Sequence, residues 1–228
     1  MQINRHPFSG SLSKIAWTIL ALSVCVLILK VTVVVTMNYR DYVPPDFDSD
    51  FLLDREAYFW NGYHWAFYSH IIAGPWTLIV GMILLSDRFR MRYRKWHRFL
   101  GRIQTAGVLL VIMPSGIWMA MYAATGAVPG AGFGSLAVAT GWCVYRGWRS
   151  AVTRQFNRHR RWMLRCYVLL CSAVVLRLTA GLFIVADIDS DWIYPMSAWT
   201  SWLVPLAVFE LINFRRATSQ QSIAKESV

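Results

Sequence analysis

The sequence predicts an all-α integral membrane protein, a polytopic bundle of about six transmembrane helices. Two properties of the 228-residue chain indicate this fold class: 56% of its residues are hydrophobic, and its mean hydropathy is +0.39. Only 15% of the residues are charged, whereas about a quarter are charged in a typical soluble domain. In addition, the apolar residues are gathered into separate runs of the length that crosses a bilayer.

Six apolar segments account for these runs, and we expect each to form one helix of a single membrane domain covering residues 1–228. At a rise of about 1.5 Å per residue, about 20 residues cross a hydrocarbon core. Five segments reach that length, whereas the fourth is marginal and requires Arg146 to snorkel from its end. The predicted helices cover residues 15–37, 59–86, 101–125, 130–147, 162–186 and 193–214.

The first segment could be a cleaved signal peptide or a retained helix. Its apolar run is longer than the hydrophobic region of a signal peptide. No small-residue cleavage site follows it in Met37-Asn38-Tyr39-Arg40. We therefore expect a retained first transmembrane helix.

Charges alternate between the predicted connections. Seven basic residues and one acid lie from Asp87 to Arg102, and seven basic residues and no acid lie from Arg146 to Arg165. Short loops this rich in Lys and Arg remain cytoplasmic, so we expect both termini on the cytoplasmic side of a bacterial inner (plasma) membrane. The tail residues Arg215, Arg216 and Lys225 agree with this orientation, and the alternate connections carry the acids Asp41, Asp46, Asp48, Asp50, Asp54, Glu56, Asp187, Asp189 and Asp191.

The net charge of +11 indicates membrane lipids as partners rather than nucleic acid. The basic residues lie in the connections of membrane helices, and no soluble nucleic-acid-binding module is visible. There they would attract anionic lipid head groups, at about 1 kcal/mol per basic residue. The four cysteines lie in or beside apolar runs, and we expect them to be reduced packing residues.

Three prolines, Pro75, Pro114 and Pro205, interrupt predicted helices. A proline leaves the carbonyl one turn earlier without its helical donor and usually kinks the helix. Pro75 therefore frees the carbonyl of Ile71, next to His70, and we expect this carbonyl to be a hydrogen-bond partner within the membrane.

Three motifs carry a resemblance to a known family. His70 lies four residues before Gly74, His97-Arg98 is followed by Gly101-Arg102, and His159-Arg160 is followed by Trp162-Met163 and Arg165. With Arg177, Trp202 and Glu210 further along, the chain from about residue 60 to 215 resembles a group of predicted bacterial membrane proteins, domain of unknown function number 2306. The resemblance implies a membrane protein and brings no established activity.

The two histidines of the HR motifs have two interpretations. His97 and His159 start cytoplasmic helices and could ligate one haem b, as in di-haem membrane cytochromes. Such cytochromes usually need histidine pairs at matched depths, and His70 has no clear partner because His64 lies on another helix face. In the alternative, the histidines belong to an inner-face polar cluster that contacts head groups and loops: His97, Arg98, Arg102, His159, Arg160, Arg165 and Glu210. We expect no bound cofactor. We also expect Glu210 to form an ion pair with an inner-face arginine.

Two acidic runs, residues 46–50 and 187–191, alternate carboxylates in a manner that suits a hard cation such as calcium. The first run lacks the Gly and Glu of a calcium-binding helix-loop-helix, because Phe51 and Ala57 occupy those positions. The other interpretation is a pair of solvated acidic loops.

Ionisable residues inside the apolar runs predict a ligand site. His70 and Arg177 each lie ten residues inward from an outer marker, Trp60 or Asp187, which corresponds to about 15 Å. Lys30 lies eight residues inward from Asn38, or about 12 Å. Cationic side chains at one depth are costly unless they share water, a carbonyl or an anion, so we predict that His70, Arg177 and Lys30 line one polar site. Alternatively, each faces a different neighbour or snorkels alone.

The sequence leaves three functions open. The first is a membrane protein that binds or moves a small ligand, with an anion favoured by the clustered cations. The second is a membrane redox protein that uses haem or a quinone, and the third is a scaffold without a ligand. No catalytic triad, metal-binding helix motif or phosphate loop is visible, so the sequence does not indicate an enzyme.

Overall fold

A computed structural model describes residues 8–49 and 51–226, with the side chains of residues 15, 16, 18–49, 51–215 and 218. Within these ranges the chain forms helices and no strand, and six helices are long and apolar enough to cross a membrane. The predicted fold class and helix number are confirmed. The helices are α1 Phe8–Met37, α2 Glu56–Leu85, α3 Arg94–Met121, α4 Ala127–Val152, α5 Phe156–Val185 and α6 Ile193–Glu226.

Several helix ends differ from the prediction. The fourth helix is not short: α4 has 26 residues and continues through Arg146 and Arg149. The third and fifth helices begin at Arg94 and Phe156 rather than at Gly101 and Trp162. Hydropathy marks the part of a helix that lies in hydrocarbon, whereas Arg, Lys and Trp extend the backbone helix beyond it.

Irregular backbone interrupts several helices. At the start of α2, Asn61 and Gly62 depart from helical dihedral angles, and a π-helical turn, Val108–Ile112, precedes Pro114 in α3. Cys171 separates α5 into Phe156–Leu170 and Ser172–Val185. Pro75 and Pro205 lie inside α2 and α6.

The bundle has an acidic end and a basic end. The acidic end contains the 3-10 helix Asn38–Tyr42 and residues 43–49, 51–55 and 186–192. The basic end contains the short helix Asp87–Arg92 and residues 153–155, which connect α4 to α5. The side chains of Asp50, Arg216 and Lys225 lie outside the described residues.

Helix α4 packs against α3, α5 and α6, and α5 packs against α1, α2, α4 and α6, whereas within the described residues α1 packs on α2 and α5. The main core joins Val108 of α3, Val144 of α4, Leu169 of α5 and Trp202 of α6. A second core lies at the acidic end around Leu52, Phe59, Tyr63 and Phe67. Tyr63 is 1% exposed there.

Candidate functional site

His70 is held by a hydroxyl of the neighbouring helix. It lies on α2, and its Nδ1 is 2.9 Å from Oγ of Ser115 on α3. The Ser115 hydroxyl donates its single proton to the carbonyl of Val111, so it accepts from the Nδ1–H of His70. The neutral ring then carries its lone pair on Nε2, which has no hydrogen-bond partner among the described residues.

A glycine beside this contact allows α3 to pack closely on α4. A Cβ atom on Gly116 would lie 3.3 Å from Cβ of Ala137 and 3.5 Å from Cε1 of His70. Gly116 therefore permits α3 to lie between the imidazole and α4.

Arg177 lies beside His70 as a cation without an acidic partner. Its side chain is exposed, and Nη1 donates to the carbonyl of Ala173, 3.0 Å away on the same helix. Arg177 interacts electrostatically with His70 and with Tyr39 and Tyr42. Among the described residues no carboxylate forms an ion pair with it. Most of the five N–H donors of its guanidinium are therefore available to a ligand.

Tyr39 brings the end of α1 to this site. Its hydroxyl donates to the carbonyl of Ile71, which lacks a helical donor because Pro75 has no N–H. The sequence predicted that this carbonyl would be a hydrogen-bond partner, and the structure assigns it to Tyr39. One or more turns towards the basic end, Ile28, Leu78 and Val174 pack together and join α1, α2 and α5.

Lys30 is not brought to His70 and Arg177. The buried residues Ile28 and Thr32, 5% and 6% exposed, define the face of α1 that packs in the bundle. Position 30 lies about 200° around the helix from position 28, and the Lys30 side chain is exposed. The structure therefore places His70, Arg177, Tyr39 and Ser115 together, and Lys30 on the opposite face of α1.

An aromatic cap covers the acidic end and includes Tyr42, one of the tyrosines near Arg177. At its centre Arg55 is 8% exposed and donates to the carbonyls of Phe51 and Tyr122, at 2.6 and 2.8 Å. Its guanidinium also lies 4.9 Å from the ring centroid of Phe51. In the sequence Arg55 is one basic residue in an acidic loop, and no pattern there indicates its buried position. The cap consists of Tyr42, Phe47, Phe51, Leu52, Arg55, Tyr58, Phe59, Tyr63, Phe67, Tyr68 and Tyr122.

At the basic end, Arg165 of α5 forms a bidentate ion pair with Glu210 of α6. Nε bonds Oε1, and Nη2 lies 2.8 Å from Oε2. Trp162 stacks beside this pair, with its ring centroid 4.9 Å from the Arg165 guanidinium and 5.3 Å from that of Arg146. Glu210, for which the sequence predicted an arginine partner, is thus paired with Arg165 at the basic end.

The two histidines of the basic end differ in their surroundings. His159 donates from Nδ1 to the carbonyl of Gly147 at 2.9 Å, which leaves the Nε2 lone pair of the neutral ring free. Nδ1 of His97 is buried without a hydrogen-bond partner among the described residues. The two rings interact electrostatically.

The other predicted members of the inner-face cluster are exposed. Arg160 lies 3.0 Å from Asp87, which also pairs with Arg90 at 2.9 Å. Arg98 and Arg102 are exposed on α3. The predicted cluster is thus divided into an α5–α6 ion pair, a histidine pair and a set of exposed arginines.

The first acidic run forms a local turn. Oδ1 of Asp46 accepts from the backbone N–H of Asp48 at 3.0 Å, and its carbonyl accepts from Ser49 Oγ at 2.6 Å. Within the described part of the chain, which leaves out Asp50, no three His, Cys, Asp or Glu side chains are grouped as metal ligands.

Comparisons with known proteins agree with the predicted resemblance. The model of one family, described as a predicted membrane protein (DUF2306), matches residues 67–213. No curated protein and no solved structure matches the chain. The matched range contains His70, Ser115 and Arg177, whereas Tyr39 precedes it.

Proposed function

The chain belongs to the DUF2306 family of predicted membrane proteins, and we propose that it binds a small anionic ligand between its helices at His70 and Arg177. The observation that carries this proposal is a guanidinium with no acidic partner among the described residues, placed beside His70 and Tyr39. An arginine in a membrane span is costly unless it is paired, and a bound anion would supply the missing charge.

The hydrogen-bonding groups of the site suit an anion that carries oxygen atoms. Arg177 can offer two parallel N–H groups to a carboxylate or a phosphate. His70 can donate from Nε2 when the ring is protonated, or accept a proton from an acid group when it is neutral. A cation would be repelled by Arg177, so the site disfavours cationic ligands.

Ligand binding tests the proposal. The protein would be purified into phosphatidylcholine nanodiscs and titrated by calorimetry with inorganic phosphate, acetate and laurate, which represent soluble and bilayer-derived anions. Loss of a charge-assisted hydrogen bond costs about 1.5–3 kcal/mol, so we expect Arg177→Gln to weaken binding roughly 10- to 150-fold.

Lys30→Gln is the matched control, because Lys30 is a basic residue of a membrane span on the opposite face of α1. It should leave the affinity unchanged. The proposal would be overturned if none of the three anions binds the wild-type protein, or if Arg177→Gln binds as well as wild type. A measurement of the flux of the bound anion into proteoliposomes would then distinguish a carrier from a protein that only binds the anion.

The alternation of charge supports an orientation in which the basic end and both termini face the cytoplasm of a bacterial inner membrane. In this orientation the exposed arginines would contact anionic lipid head groups. The proposed anion site would lie nearer the opposite side of the membrane.

A redox function with haem or quinone is the second candidate. The observation that favours it is His159, whose Nδ1–H bonds a carbonyl and leaves Nε2 free, as is usual for a metal-ligating histidine. His97 is its available partner. His70 is engaged with Ser115 towards the acidic end and does not complete a second histidine pair. A scaffold without a ligand is the third candidate, and it would leave Arg177 unpaired.

A further inference from the structure

Helix α6 carries a concentration of buried polar atoms that have no partner. Of the six buried side-chain nitrogen and oxygen atoms that lack a hydrogen bond within the described residues, four lie on this helix. Three of them are close in sequence: Oγ of Ser197, Oγ of Ser201 and Nε1 of Trp202. These residues are 4%, 1% and 7% exposed.

The two serines present their hydroxyls to the interior rather than to their own helix. A helical Ser or Thr normally bonds the carbonyl three or four residues earlier, as Thr200 does with Met196 at 3.0 Å. Neither Ser197 nor Ser201 makes such a bond. Because they are four residues apart, their hydroxyls lie on one face of α6, separated along the axis by about 6 Å.

A backbone acceptor lies at the same place. Pro205 is inside α6 and has no N–H, so the carbonyl of Ser201 loses its helical donor. In α2 the corresponding carbonyl, freed by Pro75, receives the hydroxyl of Tyr39. The Ser201 carbonyl needs an equivalent donor.

The surroundings of these polar atoms are apolar. Trp202 belongs to the main core with Val108, Val144 and Leu169. One turn nearer the acidic end, α4 approaches so closely that a Cβ on Gly132 would lie 3.1 Å from the carbonyl oxygen of Ala198. The polar atoms are thus enclosed, and the neighbouring apolar side chains offer no hydrogen bonds.

The chemistry of these groups selects one class of ligand. Trp202 can only donate, the Ser201 carbonyl can only accept, and the hydroxyls can do both. An anion or a quinone carbonyl would leave the Ser201 carbonyl unsatisfied, and a cation would be opposed by the indole N–H. A water molecule donates and accepts, and buried waters typically bond about three otherwise unsatisfied polar groups. We propose that the bundle binds water against α6, at Ser197, Ser201 and Trp202.

X-ray radiolytic footprinting in nanodiscs tests this hydration site, because hydroxyl radicals form from water bound next to the side chain that they oxidise. Oxidation of Trp202 would be measured by mass spectrometry against Trp192, which is 51% exposed and lies in the connection at the acidic end, outside the membrane spans. We expect the buried Trp202 to be oxidised within about threefold of the rate of Trp192, because internal water remains beside it. The proposal would be overturned if Trp202 is oxidised as slowly as expected for a side chain that is 7% exposed and has no water beside it.

The double variant Ser197→Ala/Ser201→Ala should slow the oxidation of Trp202 by about threefold or more, since the water loses its anchors. Thr200→Val is the matched control, because the Thr200 hydroxyl bonds its own helix, and it should leave the rate unchanged. An unchanged rate in the double variant would show that the serines do not hold water. If the double variant does not fold, the rate of Trp202 in the wild-type protein decides the proposal alone.

Discussion

At the scale of single residues, the contribution of Glu210 to stability can be measured with one substitution. It receives two hydrogen bonds from Arg165, and the two side chains are 42% and 24% exposed. The pair is thus partly screened, and we expect Glu210→Gln to lower the free energy of unfolding by about 1–2 kcal/mol. Asp87→Asn is the control, because that exposed carboxylate should contribute under about 1 kcal/mol. Equal losses in the two variants, measured by thermal unfolding in nanodiscs, would contradict this prediction.

Two glycines of α3 should respond to alanine in opposite directions. A methyl group on Gly116 would press on Ala137 of α4, whereas nothing lies within 4 Å of a Cβ on Gly107. Gly107→Ala should raise the free energy of unfolding by about 0.5–1 kcal/mol, because alanine loses less conformational entropy in a helix. Gly116→Ala should lower it, because Ala137 must move to admit the methyl group. A stabilised Gly116→Ala variant would show that the contact is not tight.

The candidate site could be predicted in part from residue depth. His70 and Arg177 were identified because ionisable groups inside an apolar run are costly. Lys30 has a similar depth, but the sequence does not show which face of α1 packs in the bundle. The burial of Ile28 and Thr32 in the structure identifies that face, and Lys30 lies opposite it. Tyr39 and Ser115 are ordinary residues in the sequence, and only the packing of helices brings them to His70.

At the scale of helices, the hydrogen bond between Tyr39 and Ile71 should compensate for Pro75. Tyr39→Phe leaves the Ile71 carbonyl without a donor and should cost about 1 kcal/mol of stability. In a Pro75→Ala background the alanine N–H can satisfy the same carbonyl, so the cost of Tyr39→Phe should be smaller. A double-mutant cycle of unfolding free energies measures this coupling. The same cost in both backgrounds would mean that Tyr39 stabilises the fold in another way.

The positions of the helices could be predicted from apolar runs, but their ends could not. The HR motifs were placed at the starts of the third and fifth helices, and both lie within the first turns of α3 and α5. The basic residues before the apolar runs extend these helices, because Lys and Arg are good helix formers. Hydropathy does not detect this continuation.

At the scale of the whole molecule, the separation of acidic and basic ends predicts the topology. Reporter fusions after Arg154 and Arg216 should report the cytoplasm, and fusions near Asp48 and Asp189 should report the opposite side. If all six candidate spans cross the membrane, residues 8 and 226 share a side. A cytoplasmic reporter at Asp189 would contradict the orientation.

The protein should also purify without stoichiometric haem when haem is supplied during expression. His70 bonds Ser115, and a di-haem arrangement would need another histidine at its depth. The measurement is a reduced-minus-oxidised absorption spectrum. A b-type α band that disappears in His97→Ala or His159→Ala would favour the redox function instead.

The fold class followed from composition and from the length of the apolar runs, because a bilayer permits few other structures. The function did not follow, since a bundle of membrane helices serves many activities and its chemistry depends on a few contacts.

The peripheral position of α1 has a consequence for how a ligand could be retained. Tyr39 follows α1, which within the described residues packs on α2 and α5, while His70, Ser115 and Arg177 lie on helices with more neighbours. An anion held by Arg177 and packed against the Tyr39 side chain would link this peripheral helix more firmly to the rest of the bundle. By mass action, a ligand at 100 times its Kd would strengthen that attachment by about 2.7 kcal/mol. Slower amide exchange in residues 31–42 would then report occupancy of the site.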